Sequence, residues 1–244
     1  MNKIIFFICC IVYTNCYSQV NTRYIGSDGI PRNYEFLDGN KTPIPIGDPG
    51  GIEGSPLFQS KWVYGIIKLQ NGSIYSDSAL NYSMYDTKLF FKRHGNVYPV
   101  TFPVKEFLLK AANDSATEKF YHFEEGFPPI GENDYSTFYE ILSDGSSIKL
   151  LKTNDKTIRV TYQYSGPVRR EYYTEQKYFV FLPDENKMIG LGKRVTLKDL
   201  RENLSEYATQ IDTYESSNKF KARKEVDLAE LFKFLDHAKL QRAL

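Results

Sequence analysis

The sequence has 244 residues, which is long enough for one large domain or two small ones. Its 31 basic and 30 acidic residues nearly cancel. A chain so close to neutral is a poor candidate for electrostatic capture of nucleic acid or of an anionic membrane surface. Aromatic residues make up 15% of the chain, led by 19 tyrosines, and this composition favours half-buried β-sheets.

The first residues have the pattern of an export signal. Lys3 precedes an uncharged apolar run over residues 4–13, and a short polar stretch ends at Ser18. The run is too short to span a bilayer, which needs about 20 apolar residues. We therefore predict a signal peptide over residues 1–18. The alternatives are a buried N-terminal strand and a lipoprotein signal in which Cys16 is lipidated.

All three cysteines, Cys9, Cys10 and Cys16, lie within that predicted signal. The mature chain would then have no disulfide, no thiolate metal site and no thiol nucleophile. Small secreted eukaryotic domains usually carry disulfides. We therefore expect an exported bacterial protein, located in the periplasm or at the outer membrane, with release from the cell as an alternative.

Residues 19–56 are crowded with glycine and proline and have no usable periodicity. This composition predicts an extended arm. Gly50, Gly51 and Gly54 do not predict a phosphate-binding loop, because no strand precedes them and no Gly-Lys-Ser/Thr follows.

Residues 57–110 predict a meander of short antiparallel strands that closes into a small barrel or sandwich. Asn71-Gly72 predicts a type I′ hairpin turn. Pro99 and Pro103 should lie at strand ends or an edge, because proline cannot donate to a strand ladder. The predicted strands cover residues 62–69, 73–75, 79–85, 88–92, 97–100 and 104–109.

Residues 111–134 predict a long connection to a second β lobe over residues 135–244. In that lobe Ile158, Val160, Tyr162 and Tyr164 alternate with polar residues, which predicts a strand with one buried face. Two amphipathic helices follow. Thr196 with Asp199 would cap the first and Asp227 with Glu230 the second. The predicted fold class is α+β, mainly β, with two antiparallel sheets and two C-terminal helices.

The sequence offers few residues for catalysis or metal binding. His94, His122 and His237 share no metal-ligand spacing, and no nucleophile elbow is present. We therefore assign no catalytic, cofactor-binding or metal-binding residues. The paired acids Glu124-Glu125 and Glu132/Asp134 fall in predicted loops, but a glycosidase-like pair stays open because its members can be distant in sequence.

The central strands and turns resemble those of uncharacterised exported proteins of Gram-negative bacteria. The resemblance lies in the segments GSPLF at 54–58 and GxxKLxNGxxY at 65–75, followed by LxYxxYxxxLxF at 80–91 and VxxF at 104–107. It continues in YEIL at 139–142 and in the last helix, so it covers most of the predicted mature chain. It implies an exported β-rich core with a helical C-terminus and implies no activity.

Two short motifs also resemble the Asp-Ser-small acceptor that some of these bacteria use for O-glycosylation. They are Asp77-Ser78-Ala79 and Asp114-Ser115-Ala116. The resemblance implies that Ser78 and Ser115 are modification sites.

Three functions follow as hypotheses. The first is a non-enzymatic binding or scaffolding module of the cell envelope, with an envelope protein or a glycan as partner and without nucleic acid. The second is a hydrolase that acts on glycan with dispersed carboxylates. The third is a carbohydrate-binding module, which would need exposed aromatic side chains and an accessible Trp62.

Overall fold

The strands form one continuous, mostly antiparallel sheet, as a computed structural model shows for residues 51–112, 119–164, 166–218 and 220–242. The predicted class, α+β and mainly β, is confirmed. Across the sheet the order is β1-β10-β9-β8-β7-β6-β2-β3-β4-β5, with β11 paired to β10. The strands are β1 (Ile52–Glu53), β2 (Val63–Leu69), β3 (Ile74–Ser83), β4 (Lys88–Arg93), β5 (Asn96–Pro99), β6 (Val104–Lys110), β7 (Phe120–Glu124), β8 (Tyr139–Asp144), β9 (Lys149–Thr161), β10 (Arg169–Leu182) and β11 (Lys187–Gly192).

The expectation of two separate sheets was wrong, because the predicted connection over residues 111–134 contains β7. This strand pairs with β6 on one side and β8 on the other, so it joins the two halves of the chain. Its buried side chain, Phe123, stacks on Phe107 of β6 with ring centroids 4.8 Å apart. The acidic and proline-rich residues around β7 obscured its apolar pattern in the sequence.

The first half of the sheet curls back on itself. The backbone N–H of Lys156 in β9 donates to the carbonyl oxygen of Met84, just after β3, at 3.0 Å. Four strands separate β3 from β9 in the sheet, so this hydrogen bond requires strong curvature. The concave side encloses an apolar cluster whose members include Ile67, Leu80, Tyr82, Phe91, Phe107, Leu109 and Phe123.

The turns differ from expectation in one detail. Gly72 has a positive φ of 84° but Asn71 does not, so the turn is not type I′. The side-chain oxygen of Asn71 instead accepts from the N–H of Ser73. The prediction for Pro99 is confirmed, since it ends the edge strand β5. His94 lies in the turn between β4 and β5 with a φ of 49°.

Three helices follow the sheet, where two were predicted: α1 (Leu197–Asn203), α2 (Ala208–Ser217) and α3 (Glu225–Arg242). The capping box of Thr196 and Asp199 is confirmed. The predicted first helix breaks at Leu204, which leaves helical geometry at φ −121°, ψ 52°, and a 3₁₀ turn leads into α2. The apolar residues spaced along the predicted first helix stay on one buried face across the break. They are Leu200, Leu204, Tyr207 and Ile211.

The second helical prediction holds apart from its start. Helix α3 begins two residues before Asp227, and that carboxylate accepts from the N–H of Lys221. Its predicted apolar stripe packs with the stripe of α1 and α2 against the strands β8 to β11. Members of this cluster include Ile148, Leu150, Val180, Leu228, Leu231, Phe232 and Leu235. Among the described helices, none is both long and apolar enough to cross a membrane.

Strands β9 and β10 form a long hairpin with two distinct halves. The inner half of β9 is buried, whereas residues 157–161 are mostly exposed. The predicted buried face was therefore wrong: Val160, Tyr162 and Tyr164 are 42%, 80% and 109% exposed. Strand β9 also runs unbroken from Lys149 to Thr161. The sequence pattern predicts one strand that ends at Leu151 and a second that begins near Ile158. Asn154 lies inside it, with its side chain hydrogen-bonded to Glu140 and Gln176.

Several predictions fall outside the described residues. They are the signal peptide over residues 1–18 with Cys16, the arm up to residue 50, the glycosylation motif at Ser115, and the side chain of Ser78. The end of the predicted arm includes β1, which pairs in parallel with β10 through Ile52 and Arg170.

Candidate functional site

Four polar side chains form a row on the convex face of β2, β6 and β7. Along these strands Ile67, Phe107 and Phe123 belong to the buried apolar cluster. Their neighbours point to the other face, because successive strand side chains alternate. Lys68 lies opposite Glu106, Glu106 lies opposite Glu124, and His122 is two residues before Glu124. We call Lys68, Glu106, His122 and Glu124 the outer-face cluster.

The outer-face cluster is centred on the carboxylate of Glu106. Lys68 Nζ lies 2.8 Å from Glu106 Oε1, and His122 Nε2 lies 3.3 Å from Glu106 Oε2. Burial alone would raise the pKa of Glu106, but the hydrogen bonds and charges of Lys68 and His122 outweigh it and hold that pKa below its ordinary value. The hydrogen bond and charge of Glu106, with a smaller contribution from Glu124, raise the pKa of Lys68.

A cavity of about 340 Å³ opens beside this cluster. Ile66, Ile74 and Leu108 give it apolar walls, while Lys68, Glu106 and His122 supply its polar side. Glu106, His122 and Glu124 can each offer a ligand atom, and these atoms all lie within 4.8 Å of one another. The arrangement can therefore bind a cation or hold a small polar group against an apolar wall.

No metal-binding role was predicted for these residues, because the three histidines of the chain share no metal-ligand spacing with one another. The missed signal is His122-x-Glu124 within a strand, since residues two apart on a strand share a face. Glu106 could not be linked to this pair from the sequence, because the pairing of β6 with β7 was not predicted.

A second polar network is buried between the sheet and the start of α3. Lys152 Nζ lies 2.8 Å from Glu140 Oε2 and 2.6 Å from Glu225 Oε2. Asn154 donates to the same Glu140 oxygen at 2.6 Å. The side chains of Lys152 and Glu140 are only 6% and 4% exposed. Burial opposes the charge on Lys152, but its two carboxylate partners outweigh burial and raise its pKa. The one ammonium group is shared by two carboxylates, and its contact with Glu225 connects α3 to the sheet.

A basic cavity of about 350 Å³ lies between the loop before α1 and the loop before α3. Lys193, Arg194 and Arg223 line it above the apolar side chains of Val195 and Leu228. Lys193 is paired with Glu175. Arg194 and Arg223 are exposed, and no ion pair joins either of them to another residue of the described ranges. The charge suits a carboxylate or phosphate group.

The outer half of the β9–β10 hairpin exposes apolar side chains. We call residues 157–164 and 166–173 the hairpin arm. Val160, Tyr162, Tyr164, Val168 and Tyr173 are each at least 42% exposed. The guanidinium of Arg159 lies 3.6 Å from the centroid of the Tyr173 ring, which holds that ring in place. The arm therefore presents Val160 and Tyr173 on paired strands and Tyr162 and Tyr164 in the loop that follows β9.

The hairpin arm also has an open strand edge. Strand β8 pairs with β9 only as far as Lys152, and the N–H of Lys156 reaches Met84. Beyond that point, no strand of the described residues pairs with 157–161 on the side away from β10. Such an edge can accept an added strand from another chain.

The paired acids considered for hydrolysis lie near one another at the loops after β7. Burial raises the pKa of Glu125, as does the charge of Asp134, against a hydrogen bond from Gln70. Hydrogen bonds from Ser136 lower the pKa of Asp134. Opposite shifts suit a general acid beside an ionised partner. However, Asp134 is exposed and its Oδ1 accepts from both the N–H and the hydroxyl of Ser136, which is a turn-capping role.

The remaining residues singled out in the sequence lie apart from the outer-face cluster. His94 is in the β4–β5 turn and His237 is on the exposed face of α3. Trp62 directly precedes β2 and is half-buried, so it does not form an open aromatic platform. The exposed aromatic surface is provided by the hairpin arm instead.

No family model matches the chain, and neither the curated proteins nor the solved structures contain a significant match to it. The resemblance to exported Gram-negative proteins stays a prediction from the sequence.

Proposed function

We propose that this is an exported, non-enzymatic protein of the bacterial cell envelope that binds another envelope protein through its hairpin arm. Export is supported by the signal pattern of residues 1–18. Binding is supported by one observation above all: the arm combines exposed tyrosines with a strand edge to which no strand of the described residues is paired.

Both features of the hairpin arm favour a protein partner in extended conformation. The open edge over residues 157–161 can form backbone hydrogen bonds with an added strand, which gives affinity. Tyr162 and Tyr164 supply large contact areas at low cost in conformational entropy. A monomer that left both features uncovered would risk non-specific association.

Site-specific photo-crosslinking in the native cell tests this function. Benzoylphenylalanine replaces Tyr162 or Tyr164, which are 80% and 109% exposed, so folding should be unaffected. Ultraviolet light should give one discrete covalent adduct with an envelope protein, found in the periplasmic or membrane fraction. The same probe at Lys233, whose side chain is 57% exposed on α3, is the matched control and should give none.

Three results would contradict the proposal. They are retention of the protein in the cytoplasm, an absence of adducts from both arm positions, and equal adducts from the arm and from Lys233. Crosslinking to envelope glycan instead of protein, from the probe at Tyr162 and weakened by the added substitution Tyr164→Ser, would support the carbohydrate-binding alternative.

A glycan-directed hydrolase is the second candidate, favoured by the opposite pKa shifts of Glu125 and Asp134. In that case Glu125 would protonate the leaving group while Asp134 acts as the ionised partner. Incubation with purified cell-wall glycan should release reducing ends, and Glu125→Gln should abolish the release. An inactive wild-type protein would end this candidate, as would a variant as active as the wild type.

A further inference from the structure

We propose that Glu106, His122 and Glu124 form a binding site for a divalent transition-metal ion of the zinc class. The site lies on the convex face of the sheet and is separate from the hairpin arm. One imidazole and two carboxylates form a ligand set that suits zinc.

The spacing of the first two ligands already matches a tetrahedral ion. His122 Nε2 and Glu106 Oε2 are 3.3 Å apart. Zinc lies about 2.0–2.1 Å from nitrogen and oxygen ligands, so two of them at a tetrahedral angle are about 3.3 Å apart. An ion can therefore replace the contact between these two atoms without moving either strand.

The third ligand needs only a side-chain adjustment. All three ligand atoms lie within 4.8 Å of one another, and Glu124 lies directly opposite Glu106 in the register of β6 and β7. A change of side-chain torsion in Glu124 closes the remaining distance, which is at most about 1.5 Å. Because the ligands stand on paired strands, their backbone positions are fixed before the ion arrives.

Lys68 is the competitor for this site. Its Nζ lies 2.8 Å from Glu106 Oε1, where it neutralises the charge that an ion would use. Its side chain is 37% exposed, so it can turn into water when an ion enters. The metal would thus replace the ammonium group, and the cavity beside the cluster leaves the fourth position open to water or a small ligand.

The ligand chemistry also predicts selectivity. Imidazole suits zinc, whereas magnesium and calcium prefer sets made only of oxygen ligands. Magnesium and calcium should therefore bind far more weakly than zinc.

Isothermal titration of untagged full-length protein with zinc chloride tests the site, with Cys9, Cys10 and Cys16 replaced by serine in every sample so that no thiolate competes for zinc. The wild type should bind one zinc ion, and His122→Ala, Glu106→Gln and Glu124→Gln should each weaken binding by at least about tenfold. Lys68→Met should strengthen binding, because it removes the competing charge. A cluster that served only as an ion-pair network would show no such gain.

The matched control removes the other two histidines of the chain. His94→Asn/His237→Ala changes only exposed positions and leaves His122 as the sole histidine, so zinc binding should be unchanged. Visible absorption of the cobalt-loaded wild type should show tetrahedral coordination, a measurement that needs no variant to fold. The proposal is overturned if the wild type fails to bind zinc, if His122→Ala binds as well as the wild type, or if the control loses binding.

Discussion

The side chain of Lys152 lies between two carboxylates, Glu140 and Glu225, at 2.8 and 2.6 Å. Lys152→Met would leave the carboxylate of Glu140 buried without a counter-charge. Removing one partner of a buried pair typically costs about 3–5 kcal/mol. We expect the free energy of unfolding, measured by urea denaturation, to fall by that order.

The double variant Glu140→Gln/Lys152→Met separates charge from packing. The amide introduced by Glu140→Gln has no charge to compensate, and its oxygen can still accept the hydrogen bond from Asn154. The double variant should recover much of the stability that Lys152→Met loses. A double variant no more stable than the single variant would show that Lys152 acts through packing alone.

Lys152 also predicts a dependence of stability on alkaline pH. Its pKa in the folded protein is raised above the ordinary value of 10.5 by its carboxylate partners. Its stabilisation is therefore fully present below the unfolded-state pKa and is lost as the pH rises through the folded-state pKa. Urea denaturation at a series of pH values above about 10.5 should show a steeper loss in the wild type than in Lys152→Met. Parallel curves for the two proteins would contradict this assignment.

At the scale of elements, α3 is hydrogen-bonded to the turn between β8 and β9 and packs closely against it. Asp236 in α3 accepts from the N–H of Ser147 at 2.7 Å, and a Cβ on Gly145 would lie 2.6 Å from the Asp236 carboxyl carbon and 2.3 Å from the Ile148 carbonyl oxygen. Gly145→Ala should therefore push α3 from the sheet and destabilise the protein by about 1–3 kcal/mol, as overpacking typically does. Thermal unfolding followed by circular dichroism measures the effect.

The matched control for this contact is Gly190→Ala in β11. A Cβ there meets only Ile130 Cδ1 at the ordinary distance of 3.7 Å, so the melting temperature should change little. Equal melting temperatures for Gly145→Ala and the wild type would mean that α3 does not depend on this close approach.

Elements were predictable from the sequence where periodicity and burial coincide. The stripe from Leu200 to Ile211 and the stripe of α3 were found because both face the same apolar cluster. The alternation through Tyr162 and Tyr164 predicted a buried face, but both side chains are exposed. Alternation shows only that successive side chains point to opposite faces of a strand, and it does not show whether another element covers either face. The strand β7 was missed because its position in the sheet is determined by long-range pairing rather than by local pattern.

The candidate site was less predictable than the fold for the same reason. His122 and Glu124 lie within one strand and could have been grouped from their spacing of two. Glu106 and Lys68 join them only through the register of three strands, of which β2 and β6 are far apart in sequence. Neither the contact of Lys68 with Glu106 nor that of Glu106 with His122 can be recognised from a local sequence pattern.

At the scale of the whole molecule, the continuous sheet predicts one cooperative unfolding transition. Trp62 is the only tryptophan and precedes β2, while the three described helices pack on the other half of the sheet. Tryptophan fluorescence should report one half, and far-UV circular dichroism should report largely the helical half. The two transitions should coincide in a urea titration, because β7 couples both halves. Separate midpoints would show that the halves are independent domains.

The order of strands in the sheet has a consequence for how the chain folds. Among the described strands, neighbours in the sheet are also neighbours in the chain except for β2 with β6 and β1 with β10. Contact order is therefore low for so large a sheet, and little loop-closure entropy opposes its growth hairpin by hairpin. The bond from Ser147 to Asp236 instead joins residues 89 apart. We expect the strands to assemble first during synthesis and α3 to dock after them, once its own residues have left the ribosome.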